Sequence, residues 1–172
     1  MIKLDLSKCT GCHRCEVACA FFHTGRINPL LARIKVTHLY ESGIDGPVVC
    51  QQCLEHFCLK SPETALSLGS QGEVICSPTM CNLCGVCEKA CPIGAIEIFS
   101  EFVYVCDLCG GDPKCIPACT EGALRFDLNE KDRTSLAEVK KETQGQTPVQ
   151  KREFFLRKMG RKLRAGWESK NA

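Results

Sequence analysis

The sequence predicts an α+β fold of two tandem modules made of short antiparallel hairpins, followed by a C-terminal helical tail. Three observations predict it. Sixteen cysteines in 172 residues fall into four local groups. The residues that follow those groups repeat one another. Brief alternating stretches rich in β-branched residues flank each group, which suits short strands.

Taken in order, Ile2-Lys3-Leu4-Asp5-Leu6 alternates as a strand does and leads into Cys9-x2-Cys12-x2-Cys15-x3-Cys19. Arg33-Ile34-Lys35-Val36-Thr37 is a further strand, carrying the chain to the second group. That group is irregular: Cys50-x2-Cys53-x4-Cys58, with Cys76 standing apart at the end of Glu73-Val74-Ile75-Cys76. Cys81-x2-Cys84-x2-Cys87-x3-Cys91 restores the regular spacing and adds Pro92. Cys106-x2-Cys109-x5-Cys115-x3-Cys119 is the same design with a longer inner loop, and Phe102-Val103-Tyr104-Val105 precedes it. Cys91-Pro92-Ile93-Gly94-Ala95-Ile96 is echoed by Cys119-Thr120-Glu121-Gly122-Ala123-Leu124, and more weakly by Ser61-Pro62-Glu63-Thr64-Ala65-Leu66. Each copy enters a strand: Ile96–Phe99, Leu124–Phe126 and Leu66–Leu68. The unit is strand, cysteine loop, short helix, strand.

A run spaced x2, x2, x3 brings four thiolates around a [4Fe–4S] cube, three wrapping one face and the fourth leaving to reach a neighbouring cube. By that rule the outer groups pair. One cluster takes Cys9, Cys12, Cys15 and Cys119; the other takes Cys106, Cys109, Cys115 and Cys19. Of the inner pair, Cys81, Cys84, Cys87 and Cys91 form a regular quartet, and Cys50, Cys53, Cys58 and Cys76 make a fourth site. There the repeat puts Ser61 where a cysteine belongs, one residue early, and Cys76 is the replacement; which thiols cross between the inner sites stays open. The chain thus holds three or four [4Fe–4S] clusters, the fourth site being either a cluster or a four-thiolate zinc, which needs no cubane-shaped cavity. A purely structural Cys76, a buried apolar thiol in a strand, is the alternative.

His13 and His56 lie beside cysteines but are expected outside the ligand set, since sixteen thiols suffice for four sites; nothing local resolves His23 or His38. Arg14, Lys89 and Lys114 sit within the loops, either as ordinary solvated charges or as cations raising the local potential. Bond-making catalysis has no motif here: no Gly-rich phosphate loop, no His-Glu-x-x-His and no Gly-x-Ser-x-Gly.

Sixteen cysteines in a short secreted chain would suggest disulfides. The local quartets and the first ligand at Cys9, too early for a signal peptide, point instead to metal in a reducing, cytoplasmic setting. No apolar run approaches the roughly 20 residues that span a bilayer. With eight Phe, two Tyr and one Trp, the core is modest, so the clusters are expected to serve as core and the apoprotein to be largely unfolded.

Residues 1–128 form the four-site domain, with outer sites from 1–40 and 101–128 and inner sites from 48–100. They carry 10 Lys and Arg against 14 Asp and Glu, whereas residues 129–172 carry 12 against 6. Within that basic segment Thr143–Pro148 reads as a linker. Phe155, Met159, Leu163 and Trp167 then recur at i+4 as on an amphipathic helix. Lys151, Arg152, Arg157, Lys158, Arg161, Lys162 and Arg164 decorate its other faces. The helix is expected to pack on its own body or to dock on an acidic partner subunit. A basic stretch alone is weak evidence for a membrane surface or nucleic acid, and no nucleic-acid partner is assigned.

Over residues 1 to about 128 the chain resembles four-cluster ferredoxin-like electron-transfer subunits, two two-cluster modules in tandem, that accompany molybdenum, tungsten and hydrogenase enzymes. Cys9-Thr10-Gly11-Cys12-His13-Arg14-Cys15-Glu16-Val17-Ala18-Cys19, Asn28-Pro29, Ala32-Arg33-Ile34-Lys35-Val36 and Cys106-Asp107-Leu108-Cys109-Gly110-Gly111-Asp112-Pro113-Lys114-Cys115 look like the small subunits of tungsten enzymes of the aldehyde oxidoreductase family. That group includes class II benzoyl-CoA reductase. The resemblance implies passage of electrons between an external low-potential carrier, such as ferredoxin, and a large tungsten- or molybdenum–pterin catalytic subunit, with no catalytic residue on this chain. A free soluble polyferredoxin, or a subunit of a hydrogenase or formate dehydrogenase, is the alternative. Ser61, and Ala20 and Thr120 in place of proline, depart from the general pattern.

Overall fold

The computed structural model describes residues 1–60, 65–127 and 133–168, with side chains to residue 163. Ser61 and the side chains of Arg164 and Trp167 lie outside the described set. Among the described residues eight strands form four separate two-stranded antiparallel sheets. β1 (Ile2–Leu4) pairs with β8 (Leu124–Phe126), Ile2 opposite Phe126 and Leu4 opposite Leu124, so the two ends of residues 1–127 meet. Asp127 N–H donates to Met1 O at 2.8 Å and Asp5 N–H to Ala123 O at 2.9 Å, extending the ladder at both ends. α1 (Arg14–Thr24) packs against α3 (Cys115–Ala118). Between them in the chain come the hairpins β2–β3 (Ile34–Leu39, Ile44–Val49), β4–β5 (Leu66–Leu68, Val74–Cys76) and β6–β7 (Glu97–Phe99, Phe102–Tyr104), with α2 (Val86–Ala90) ahead of β6.

Six of these strands fall where alternation places them, and the Arg33–Thr37 stretch becomes β2. β3 is the one that alternation misses, because Gly46 and Pro47 read as a turn. Both are tolerated for local reasons. Pro47 lies opposite Val36 in a sheet of two strands, where each strand has an open edge that needs no N–H donor. A side chain on Gly46 would run into Leu6 and Leu156, so its bareness lets the terminal helix close on the hairpin.

Ile2, Ile34, Val48, Val49, Val74, Ile93 and Ile96 are fully buried, and eight of the sixteen cysteines are buried among them. The thiols are therefore part of the core.

Of the two expectations for the basic segment, packing of the helix on its own body is the one seen, and the linker before it is not loose. α4 (Ala137–Glu142) precedes α5 (Pro148–Glu168), and the turn between them is anchored: Thr143 is 1% exposed, its hydroxyl within 2.9 Å of Pro92 O and 2.8 Å of Val139 O. Phe155 and Leu156 are buried, and α5 packs on β2, β3 and the turn Leu6–Lys8. Lys151 and Arg152 are buried too. They leave solvent because backbone carbonyls of another segment accept their protons, which a hydrophobicity pattern along one helix does not reveal.

Candidate metal centre

The four cysteine loops share one backbone device. Two residues after the leading cysteine of each, at Gly11, Gln52, Leu83 and Leu108, φ is positive, at 66, 45, 58 and 56°. A second positive φ follows at His13, His56, Gly85 and Cys109. Left-handed residues at these points bend each loop so that backbone N–H groups can face inward, a concavity that suits anionic sulfur. For Gln52, Leu83 and Leu108 the left-handed region costs on the order of 1 kcal/mol or more each, strain that collects at functional loops. Gly11 was the visible signal; its irregular counterparts appear only when the loops are superposed on their first cysteine.

Around these loops the thiols gather in four groups. Cys9, Cys12, Cys15 and Cys119 line one small cavity together with Val36 and Pro47. Cys19, Cys106, Cys109 and Cys115 repel one another as thiolates, and Arg33 N–H donates to Cys19 Sγ at 3.2 Å. Cys50, Cys53, Cys58 and Cys91 form the third group and line a cavity, where Ala95 N–H donates to Cys91 Sγ at 3.3 Å. Cys81, Cys84 and Cys87, the core of the fourth group, line another cavity with Ile98 and Val103, and the Cys76 thiol interacts with that of Cys81. Sequence order and spatial order thus disagree for the inner sites. Cys91 leaves its own run for the irregular group, and Cys76 stands where Cys91 would have been. The physical reason is the hairpin pairing Cys76 with Leu66, which delivers β5 to the Cys81 loop, while Cys91 ends α2 beside the Phe57–Leu59 turn.

Burial pushes the Cys15, Cys58 and Cys106 thiols up to about 12 and that of Cys76 to about 11, with neighbouring negative charge adding to the effect. Cys50 and Cys115 are raised further for the same reason. Four such thiolates cannot share a buried pocket without cations among them. The donors are all sulfur, convergent and met by backbone N–H groups, which fits iron–sulfur or thiolate zinc and no harder metal.

Around the ligands, two glutamates do a job that spacing did not reveal. Glu16 follows Cys15, is 4% exposed, and accepts from Val36 N–H at 2.6 Å while sitting 2.5 Å from His13 Nδ1. Glu88 follows Cys87 in the same way and accepts from Ile98 N–H at 2.8 Å. Each ties its cysteine helix to the following strand. Glu16→Ala will lower stability by about 2–3 kcal/mol, the cost of stranding a buried donor. A reduced denaturant midpoint followed anaerobically is the measurement, and an unchanged midpoint refutes the role.

His13 and His38 stand Nε2 to Nε2 at 3.0 Å, and His38 Nδ1 is 2.7 Å from Asp45. His23 lies 3.6 Å from Cys109 Sγ and 3.5 Å from Asp107, which pairs with Arg33 at 2.5 Å. Arg14 donates to the Thr120 hydroxyl at 3.0 Å, Lys114 pairs with Asp112, and Lys89 is exposed.

Residues 77–97 match the family described as 4Fe-4S binding domain. The polyferredoxin-like subunit of aliphatic sulfonate oxidoreductase from Pyrococcus furiosus is 42% identical over 124 residues, 70% of this chain and 71% of that protein. The chain is an iron–sulfur electron-transfer subunit of the oxidoreductase type. As a member of that family it binds [4Fe–4S] clusters. The same electron-transfer sequence recurs inside a longer protein, the beta subunit of NADH-dependent phenylglyoxylate dehydrogenase from Aromatoleum evansii, 34% identical over 72% of this chain but 29% of that one. The active site complex BamBC of benzoyl coenzyme A reductase with benzoyl-CoA is similar over 73% of this chain and 76% of that chain, at 29% identity and a TM-score of 0.43. Among the described residues no helix is long and apolar enough to cross a membrane.

Proposed function

We propose that the subunit holds four [4Fe–4S] clusters, one per cysteine group, and passes electrons between a low-potential carrier and a tungsten- or molybdenum–pterin catalytic subunit. When bound, each cluster supplies a one-electron site. The ligand sets are Cys9, Cys12, Cys15 and Cys119; Cys19, Cys106, Cys109 and Cys115; Cys50, Cys53, Cys58 and Cys91; and Cys76, Cys81, Cys84 and Cys87. The carrying observation is the common backbone of the four loops. It supports iron–sulfur at the irregular group because that loop repeats the positive φ found after the leading cysteine of the three regular ones.

Electrostatic interaction between groups supports a relay. Cys115 feels Cys15, Cys50 feels Cys106, and Cys58 feels Cys87. Neighbouring groups are thus within electrostatic reach of one another, and the exposed Cys12 and Cys84, in two different groups, serve as points of entry and exit. Thiolates grouped in local quartets as cluster ligands fit a reducing cytoplasm. Residues 1–128 are the electron-transfer domain. The face of α5 that carries the exposed Arg161 and Lys162 is available to an acidic partner, although the helix begins on its own body.

Metal analysis of anaerobically isolated protein tests the cluster count. About sixteen iron and matching sulfide are expected; about twelve iron with about one zinc overturns the fourth cluster. Tagged purification from the native source tests the partner. A large catalytic subunit carrying tungsten or molybdenum is expected to follow, and elution alone refutes the assignment in favour of a free polyferredoxin.

A further inference from the structure

We infer that Lys140 and Lys151 raise the reduction potential of the centre held by Cys50, Cys53, Cys58 and Cys91, as positioning charges brought to it by the C-terminal segment. The inference rests on that group holding a cluster, as proposed above.

α2 ends at Cys91, and the last carbonyls of a helix have no partner within it. Here side chains from residues 140–152 take them. Lys140 Nζ donates to Lys89 O at 3.1 Å and Ala90 O at 2.9 Å. Lys151 Nζ donates to Glu88 O at 3.3 Å and Lys89 O at 2.9 Å. Beyond the cysteine, the Thr143 hydroxyl meets Pro92 O at 2.9 Å and Arg152 Nη1 donates to Gly94 O at 3.0 Å. The backbone on both sides of Cys91 is thus held by one short stretch of the tail.

Thr143 demonstrates that a neutral group can satisfy such a carbonyl. Two ammonium groups side by side repel, and Lys151 is only 2% exposed, so its charge has given up most of its water. What offsets that cost is negative charge nearby: the carboxyl end of α2 and the thiolate of Cys91. Glu88, which also accepts from Ile98 N–H, adds more weakly to that charge, whereas Glu97 pairs with Arg152 at 3.5 Å and Lys35 at 3.8 Å. Reducing a cluster adds one electron to its site, and a fixed cation at low exposure stabilises the reduced form more than one in water does. A sequence reading that treats the tail's lysines as a solvated face passes over this.

The experiment uses the full chain, isolated anaerobically with its clusters, in redox titrations followed by electron paramagnetic resonance. Lys140→Gln and Lys151→Gln keep hydrogen-bond donors and remove charge; Lys151→Arg keeps charge. Each Gln variant is expected to retain iron and sulfide while one couple becomes at least tenfold harder to reduce, 59 mV downward for one electron, and Lys151→Arg to restore it. The shifted couple must be the one abolished by Cys91→Ser. Full iron with unmoved potentials overturns the inference, because the lysines then only hold backbone. So does a shift confined to a couple that survives Cys91→Ser. If Lys151→Gln fails to assemble, Lys140→Gln, at a half-buried position, decides. Zinc in place of iron at this group, found by metal analysis before any titration, defeats the four-cluster reading instead.

Discussion

Removing iron with a chelator, without denaturant, will abolish most of the far-UV circular dichroism of residues 1–127 and of the helix docked on them. Six of the eight strands are three residues long, and isolated two-stranded hairpins of that length are marginal in water. What joins them is a core in which half of the cysteines are buried, and without metal those positions become small thiols facing one another across cavities. Structural thiolate sites of this kind contribute on the order of 10 kcal/mol each when metal is bound, which exceeds the whole stability of an ordinary small domain. α5 falls with the rest because Leu156 is buried against the β2–β3 hairpin rather than by any partner within the helix. The direction with pH follows from the raised thiols: protons compete with metal for sulfur, so chelation goes further at lower pH. A metal-free protein with a native-like spectrum refutes this account.

The second large effect distinguishes spatial from sequential grouping. Cys91→Ser is expected to remove the same paramagnetic signal as Cys58→Ser and to leave that of the Cys84 centre in place. Cys76→Ser is expected to act on the Cys81, Cys84 and Cys87 centre and to spare that of Cys58. Loss of a thiolate from a cube costs the site about one cluster of four iron atoms, or converts it to a three-iron form. Either change is resolved by iron analysis with low-temperature spectroscopy. Should Cys91→Ser and Cys84→Ser erase one and the same signal, the crossing of Cys91 into the irregular group is wrong.

The spacing of the cysteines was enough to read the chemistry, because a cube of iron and sulfide constrains its ligands locally. Three thiolates x2 apart must wrap one face, whatever the rest of the chain does. Alternation was likewise enough for most strands, since each hairpin has one buried side, as Ile2, Ile34 and Val74 show. Where local rules failed, a distant segment had overridden them. Pro47 sits in a strand because its edge is free, and Thr143 is buried because the Cys91-Pro92 turn needs its hydroxyl. Lys151 is buried because α2 ends facing it.

Taken alone, the amino-acid order determined that sulfur gathers metal here, how many groups it forms, and where all but one of the described strands lie. These are properties of short stretches. Only the folded molecule decided which fourth thiol belongs to which inner group and what the basic tail does. The exchange of Cys76 and Cys91 depends on the β4–β5 hairpin reaching the Cys81 loop and on α2 ending beside the Phe57–Leu59 turn, and the lysines' role on carbonyls some fifty residues away. Interactions of that range leave no periodicity in the chain; they exist once the segments are packed.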